Sequence, residues 1–276
     1  MTTRNAPPPV APMDPTLHSP PDRRGIRGPG TTPEGSDIPA AATAPRRGAV
    51  RLRWIQPEAA SAADLADWTT ILSAEERDRA ARFRFDADRV AFIAAHALKR
   101  RMLSEQAGLP PTAWRFVAGP AGKPELDPAH GLPWLRFNLS HARSLVACAV
   151  AVGDDIGVDV ESLDRRPPAA GLAARWFAPE ENALLGTLPE PGRTEAFLKL
   201  WTLKEAFVKA TGDGIALGIE RVVFALDPPC LLRAPPETGA AAAWRVLQIA
   251  PEPRHVLSVA LRRRHDDGLL AATGIL

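Results

Sequence analysis

Asp159 and Glu161 stand two apart in the run Ile156-Gly157-Val158-Asp159-Val160-Glu161. Strand alternation puts both carboxylates on one face and Ile156, Val158 and Val160 on the opposite, buried one. Further on, Trp201, Glu205 and Lys209 follow one another at i, i+4 in a run of helical periodicity, so a single stripe carries a carboxylate beside an ammonium. Three oxygen donors and a cation converging from separate segments suit a hard divalent metal holding a phosphate ester, which points to phosphoryl-type chemistry. Each fragment also has a plainer reading. Asp159 and Glu161 could be exposed strand residues, and Glu205 with Lys209 an i, i+4 surface pair worth about 0.2–0.5 kcal/mol.

Other fragments add to the set. Phe137-Asn138-Leu139-Ser140-His141 ends a predicted strand and offers an amide, a hydroxyl and an imidazole at a loop mouth. His141 has no sequence-local cysteine or histidine partner for zinc. Gly122-Lys123-Pro124 displays a cation beside flexible backbone, a plausible phosphate contact. Arg77, Arg79, Arg82, Arg84 and Arg89 cluster in a short stretch that could meet phosphates, nucleic acid or an acidic protein, or form a solvated helix face. The net charge of +2 is too small for a general nucleic-acid binder.

Positioning these groups requires a folded frame. The 276 residues, 45% hydrophobic and 24% charged, suffice for one large or two modest soluble domains. Residues 1–47 are rich in Pro, Gly, Thr and Ala without apolar periodicity and are expected to form a disordered tail. No signal-like apolar region follows the first arginine, and the longest apolar run, from Leu145 to Val152, is too short to span a bilayer. Cys148 and Cys230 make neither a disulfide framework nor a metal knuckle. A cytoplasmic protein with no membrane partner is expected.

After the tail the pattern predicts a strand over 50–55, helices over 59–72 and through the arginine cluster, with Ser73 and Glu76 forming a capping box, and a longer helix over 89–106. A short strand over 114–117, a loop over 119–133 and a strand over 135–139 follow. Residues 145–152 and 156–160 are predicted to pair as a hairpin across Gly153-Asp154-Asp155. The second half repeats the order, with a helical stretch opening near Arg175, a long helix over 194–210 and strands over 221–226, 244–249 and 255–262. Phe92, Leu98, Lys99 and Met102 match Phe197, Leu203, Lys204 and Phe207 at a constant offset. The expectation is two α+β subdomains, 48–160 and 161–276, with a site in the cleft between them.

The ordered set of motifs resembles the 4′-phosphopantetheinyl transferases of the larger, surfactin-synthetase-associated (Sfp-like) type. The resemblance rests on Gly122-Lys123-Pro124, Phe137-Asn138-Leu139-Ser140-His141, Gly157-Val158-Asp159-Val160-Glu161, and the run from Trp201 to Lys209 with Gly212 and Gly214, and it spans roughly residues 50 to 262. It implies two similar subdomains related by pseudo-twofold symmetry. It also implies transfer of the phosphopantetheine arm of coenzyme A to a serine of an apo acyl or peptidyl carrier protein, releasing adenosine 3′,5′-bisphosphate. Asp159, Glu161 and Glu205 would hold Mg²⁺, Glu205 would accept the serine proton, and Lys209 would meet charge on the pyrophosphate. His141, Ser140, Lys123, Arg77, Arg79 and Arg89 would bind the coenzyme A phosphates. The chain departs from the pattern at Ala142, where the family commonly has Ser or Thr. Because both halves lie in one chain, a monomer is expected. Two other readings stand beside this one: a Mg²⁺-dependent hydrolase of a nucleotide pyrophosphate, and a coenzyme A or phosphate-binding regulatory module without catalysis.

Overall fold

The computed structural model describes residues 48–264 except 49, 120–121, 143, 168 and 252–253. The expected tail over 1–47 lies outside the described residues. The first half runs β1 (Val50–Ile55), α1 (Ala62–Thr70), α2 (Ala74–Ala80), α3 (Asp86–Ala107), β2 (Phe116–Ala118), β3 (Pro124–Leu126), β4 (Leu135–Ala142) and β5 (Leu145–Val152). The second runs β6 (Asp155–Ser162), α4 (Ala169–Trp176), α5 (Pro179–Thr187), α6 (Gly192–Thr211), β7 (Val223–Leu226), β8 (Pro229–Arg233), β9 (Trp244–Ile249) and β10 (His255–Arg262). Among the described residues, each half therefore runs one strand, three α-helices and four further strands. No described helix is long and apolar enough to cross a membrane.

The two sheets repeat one topology. β1-β5-β4 and β6-β10-β9 are both antiparallel, with the last strand of each half at the centre. The hairpin expected between residues 145–152 and 156–160 does not form. Both edges of β5 are taken, by β1 and β4, so the chain turns at Gly153 and β6 starts the second sheet instead. A division after residue 160 would run through β6, which pairs with β10 over its whole length. Two further expectations are adjusted. The 119–133 loop contains β3, which pairs with β2, and the strand ending at residue 139 extends to Ala142.

Local chemistry explains the helix starts. Ser73 caps α2 in the predicted box, its hydroxyl accepting from Glu76 N–H and the Glu76 carboxylate accepting from Ser73 N–H at 3.0 Å. At the start of α5 the Glu181 carboxylate accepts from Ala178 N–H, also at 3.0 Å. Both capping glutamates then reach a buried lysine: Lys99 Nζ lies 3.3 Å from Glu76, and Lys204 Nζ lies 2.7 Å from Glu181. His96 and Arg100 join the first pair, and Lys204 also donates to the carbonyls of Ile219 (3.0 Å) and Val222. The duplication thus extends to an ion pair in the core of each half.

Apolar packing joins the frame. α3 lies on the first sheet over Met102, Leu103, Phe137, Val146 and Cys148. α6 lies on the second over Phe197, Leu203, Phe207, Val256 and Ala260. A third cluster, including Ala147, Ala149, Val158, Val160, Leu257 and Val259, seals the two sheets against each other.

Candidate active site

The halves meet where β4 runs beside β6. Asn138 Oδ1 accepts from Val158 N–H at 2.8 Å, and Ser140 Oγ accepts from Val160 N–H at 3.3 Å. These two side chains satisfy β6 donors that no strand pairs on that edge, and so fix the register between sheets. Asn138 and Ser140 therefore lie buried within β4 rather than at a loop mouth. His141, the next residue, is exposed near the end of that strand.

On the far side of β6, Gly157 is the point of closest approach to α6. A Cβ there would stand 2.0 Å from the Ala206 carbonyl oxygen and 2.5 Å from Ala210 N, so only glycine lets strand and helix backbones touch. This contact brings Asp159 on the strand to Lys209 on the helix. Lys209 Nζ donates to Asp159 Oδ1 at 2.6 Å and to Ser140 Oγ at 3.1 Å, while Ser140 Oγ–H donates to Asp159 Oδ1 at 2.8 Å. The ammonium therefore crosses to β6 instead of pairing along its own helix with Glu205. The Asp159 side chain is too short to leave β6 and reach solvent, and the residue is only 4% exposed.

Glu161 and Glu205 complete the acidic set. Burial, reinforced by the negative charge of Asp159, pushes both carboxyls up to about 7. For Lys209, burial works against the charged form, but Asp159 and Glu205 outweigh it and raise the ammonium above its ordinary range. Arg165 sits on Glu161 in a close ion pair. Among the described residues, no three carboxylate, imidazole or thiol groups stand close enough to ligate one metal ion as they lie. Two of the three carboxylates are already engaged, Asp159 by Lys209 and Glu161 by Arg165. The three carboxylates fit a hard cation by their chemistry, since an all-oxygen anionic set gains from a divalent counter-charge. Arg165, paired with Glu161 through Oε1, competes with a cation for that carboxylate.

The remaining expected residues are less concentrated. Lys123 does not display its ammonium: Nζ donates to the Lys209 carbonyl at 2.6 Å and lies 3.4 Å from that of Ile156. Arg77 Nη1 donates to the Leu72 carbonyl, the Arg79 guanidinium lies 5.4 Å from the Phe92 ring centroid, and Arg89 pairs with Asp86 at 3.2 Å. The cluster does not form one helix. α2 stops at Ala80 and α3 starts at Asp86, leaving Arg82 and Arg84 on the connection. Trp201 stacks with Phe177 and Phe197 in the second core, so the helical stripe begins as packing and becomes a site only from Glu205 onward.

Two participants escaped the sequence reading. Arg165 follows Glu161 at i+4, a spacing that says little once a strand has ended. Glu181 was hidden because the N-cap of its helix is Ala178, which has no hydroxyl, although Ala-Pro-Glu-Glu repeats the pattern of Ser-Ala-Glu-Glu. Lys204 is thereby explained as a core partner of Glu181, pointing away from the acidic set.

Two family models match the chain along the division seen in the fold. Residues 57–152 match the 4′-phosphopantetheinyl transferase N-terminal family, and residues 155–260 match the 4′-phosphopantetheinyl transferase superfamily. The 4′-phosphopantetheinyl transferase HetI of Nostoc sp. (strain PCC 7120) is 37% identical over 206 residues, covering 75% of this chain and 83% of the relative. A 4′-phosphopantetheinyl transferase of Bacillus subtilis is 33% identical, covering 54% of this chain and 64% of its own. The 4′-phosphopantetheinyl transferase Sfp of Bacillus subtilis (strain 168) is 30% identical, covering 55% and 65%. With both halves matched and three-quarters of its length shared with HetI, the chain belongs to the 4′-phosphopantetheinyl transferase superfamily, in its larger Sfp-like type.

Proposed function

We propose that the protein transfers the 4′-phosphopantetheine arm of coenzyme A to a serine hydroxyl of an apo acyl or peptidyl carrier protein. The observation that carries this reading is the Asp159–Ser140–Lys209 contact, flanked by Glu161 and Glu205, in a chain of this superfamily. The named relatives are transferases, which leaves the hydrolase reading without support.

In the proposed reaction the serine oxygen attacks the pyrophosphate phosphorus that bears the pantetheine arm. A phosphodiester to serine forms, the bond to the bridging oxygen breaks, and adenosine 3′,5′-bisphosphate leaves. Glu205 takes the serine proton as general base. Lys209 meets the negative charge that grows on the leaving oxygen. Asp159, Glu161 and Glu205 would hold Mg²⁺, which supplies neutralisation of the pyrophosphate charge when bound. His141, exposed at the end of β4, and Arg77, Arg79 and Arg89 on the first half are proposed to contact the coenzyme A phosphates, with Ser140 setting the floor beneath them. Since the halves are fused, one chain would form one site and act as a monomer in the cytoplasm, a state that light scattering checks.

The test is incubation with Mg²⁺, coenzyme A and a panel of apo-carriers, followed by intact mass measurement. A phosphopantetheine-sized mass gain on the carrier is expected. Release of adenosine bisphosphate without any carrier modification would favour hydrolysis instead, and binding of coenzyme A without turnover would favour a regulatory module.

A further inference from the structure

We infer that Lys123 is a positioning residue which, from the first half of the molecule, pins the crossing of the strand and helix that carry Asp159 and Lys209; the inference rests on the function proposed above. Its ammonium lies between two backbone carbonyls belonging to the second half, 2.6 Å from that of Lys209 in α6 and 3.4 Å from that of Ile156 in β6. These carbonyls flank Gly157, where a Cβ would clash with the Ala206 carbonyl and Ala210 N. The tie therefore falls where the two backbones come into direct contact.

The Lys209 carbonyl needs such a donor. It is among the last carbonyls of α6, and the helix is capped by Gly212, whose N–H is spent on Val208. A cation at a helix C-terminus also complements the negative end of the macrodipole. The Lys123 stem passes beside Gly212, its Cδ 4.0 Å from where a Cβ would stand, so the approach to the helix end is open for it. Holding the Lys209 backbone fixes the origin of a side chain that must meet both Asp159 and Ser140, and holding the Ile156 carbonyl fixes the strand three residues before Asp159. Lys123, just before β3, thus makes the geometry of the second-half site depend on first-half docking. An ammonium committed in this way contributes to the rate of the chemical step and little to the capture of coenzyme A.

The experiment compares the full-length protein with Lys123→Met, which keeps the stem and loses the donor, and Lys123→Gln, which keeps one donor. Steady-state transfer from coenzyme A to an apo-carrier at saturating Mg²⁺ is measured, together with amide hydrogen exchange over residues 206–212. The expected result for Lys123→Met is a kcat lowered on the order of 10- to 100-fold with KM for coenzyme A within about twofold, as a misplaced catalytic group produces. Exchange should be faster in the last turn of α6, and Lys123→Gln should lie between. A tenfold rise in KM with kcat retained would overturn the inference, because the ammonium would then be meeting a phosphate; unchanged kinetics would overturn it as well. If the unmodified protein transfers nothing to any carrier, the proposed function fails while the exchange comparison still decides the clamp. Equal exchange in Lys123→Met and the unmodified protein sinks it.

Discussion

At the scale of single residues, Asp159 is a structural counter-ion as well as a site carboxylate. The plainer sequence reading makes it an exposed strand residue; its burial and its contacts with Lys209 and Ser140 say otherwise. Asp159→Ala strands a largely buried ammonium and should cost about 1–3 kcal/mol in urea denaturation, besides abolishing transfer. Glu205→Gln, nearly isosteric, should lower transfer at least about 100-fold with the denaturation midpoint unchanged within error, in line with loss of a general base. Arg165 supplies a third test. Because it engages Glu161, Arg165→Gln should lower the Mg²⁺ concentration giving half-maximal transfer, and calorimetric Mg²⁺ binding should tighten in parallel; a higher requirement would mean Arg165 supports the site instead.

At the scale of elements, the crossing of β6 and α6 decides whether a site exists. Gly157→Ala places a methyl group within 2.0 Å of the Ala206 carbonyl, and two backbones cannot both relax around it. The variant should lose about 3 kcal/mol or more, a melting temperature lower by roughly 6–12 °C, with transfer lost even where protein remains folded. The motif was legible because glycine and alternating carboxylates coincide in one strand. What was not legible is where that strand goes: the local pattern favoured a hairpin with its predecessor, and only the full pairing of β5 by β1 and β4 sends β6 into the second sheet.

At the scale of the whole molecule, duplication places an ion pair in the core of each half, and the first pair carries a pH signature. Burial alone would raise the Glu76 carboxyl, but the His96 hydrogen bond and the charges of Lys99 and Arg100 hold it well below the usual carboxylate range. Burial, aided by Lys99, pushes the His96 imidazole down to about 4. Both groups are depressed in the folded state, so each contributes stability at higher pH that is lost on acidification. For His96 the loss runs from about 6.5 down through about 4, and for Glu76 it continues below its unfolded value near 4.5. The melting temperature should therefore gain a falling component between pH 6.5 and 4, and His96→Gln should flatten that part of the profile in calorimetric scans. A profile unchanged by the substitution would show that the imidazole titrates freely.

The sequence by itself determined the identities: two similar α+β halves, the capping box at Ser73 and Glu76, the carboxylates at 159, 161 and 205, and the family whose motifs they form. These are local facts, written in alternation, helical spacing and turn residues. Tertiary structure decided the partnerships. Lys209 leaves Glu205 for Asp159, Lys204 turns inward to Glu181, Lys123 ties backbone carbonyls, and Ser140 and Asn138 stitch two sheets. Each depends on where distant backbone comes to rest, and for a buried charge or donor the nearest complementary group in space outweighs the nearest one along the chain.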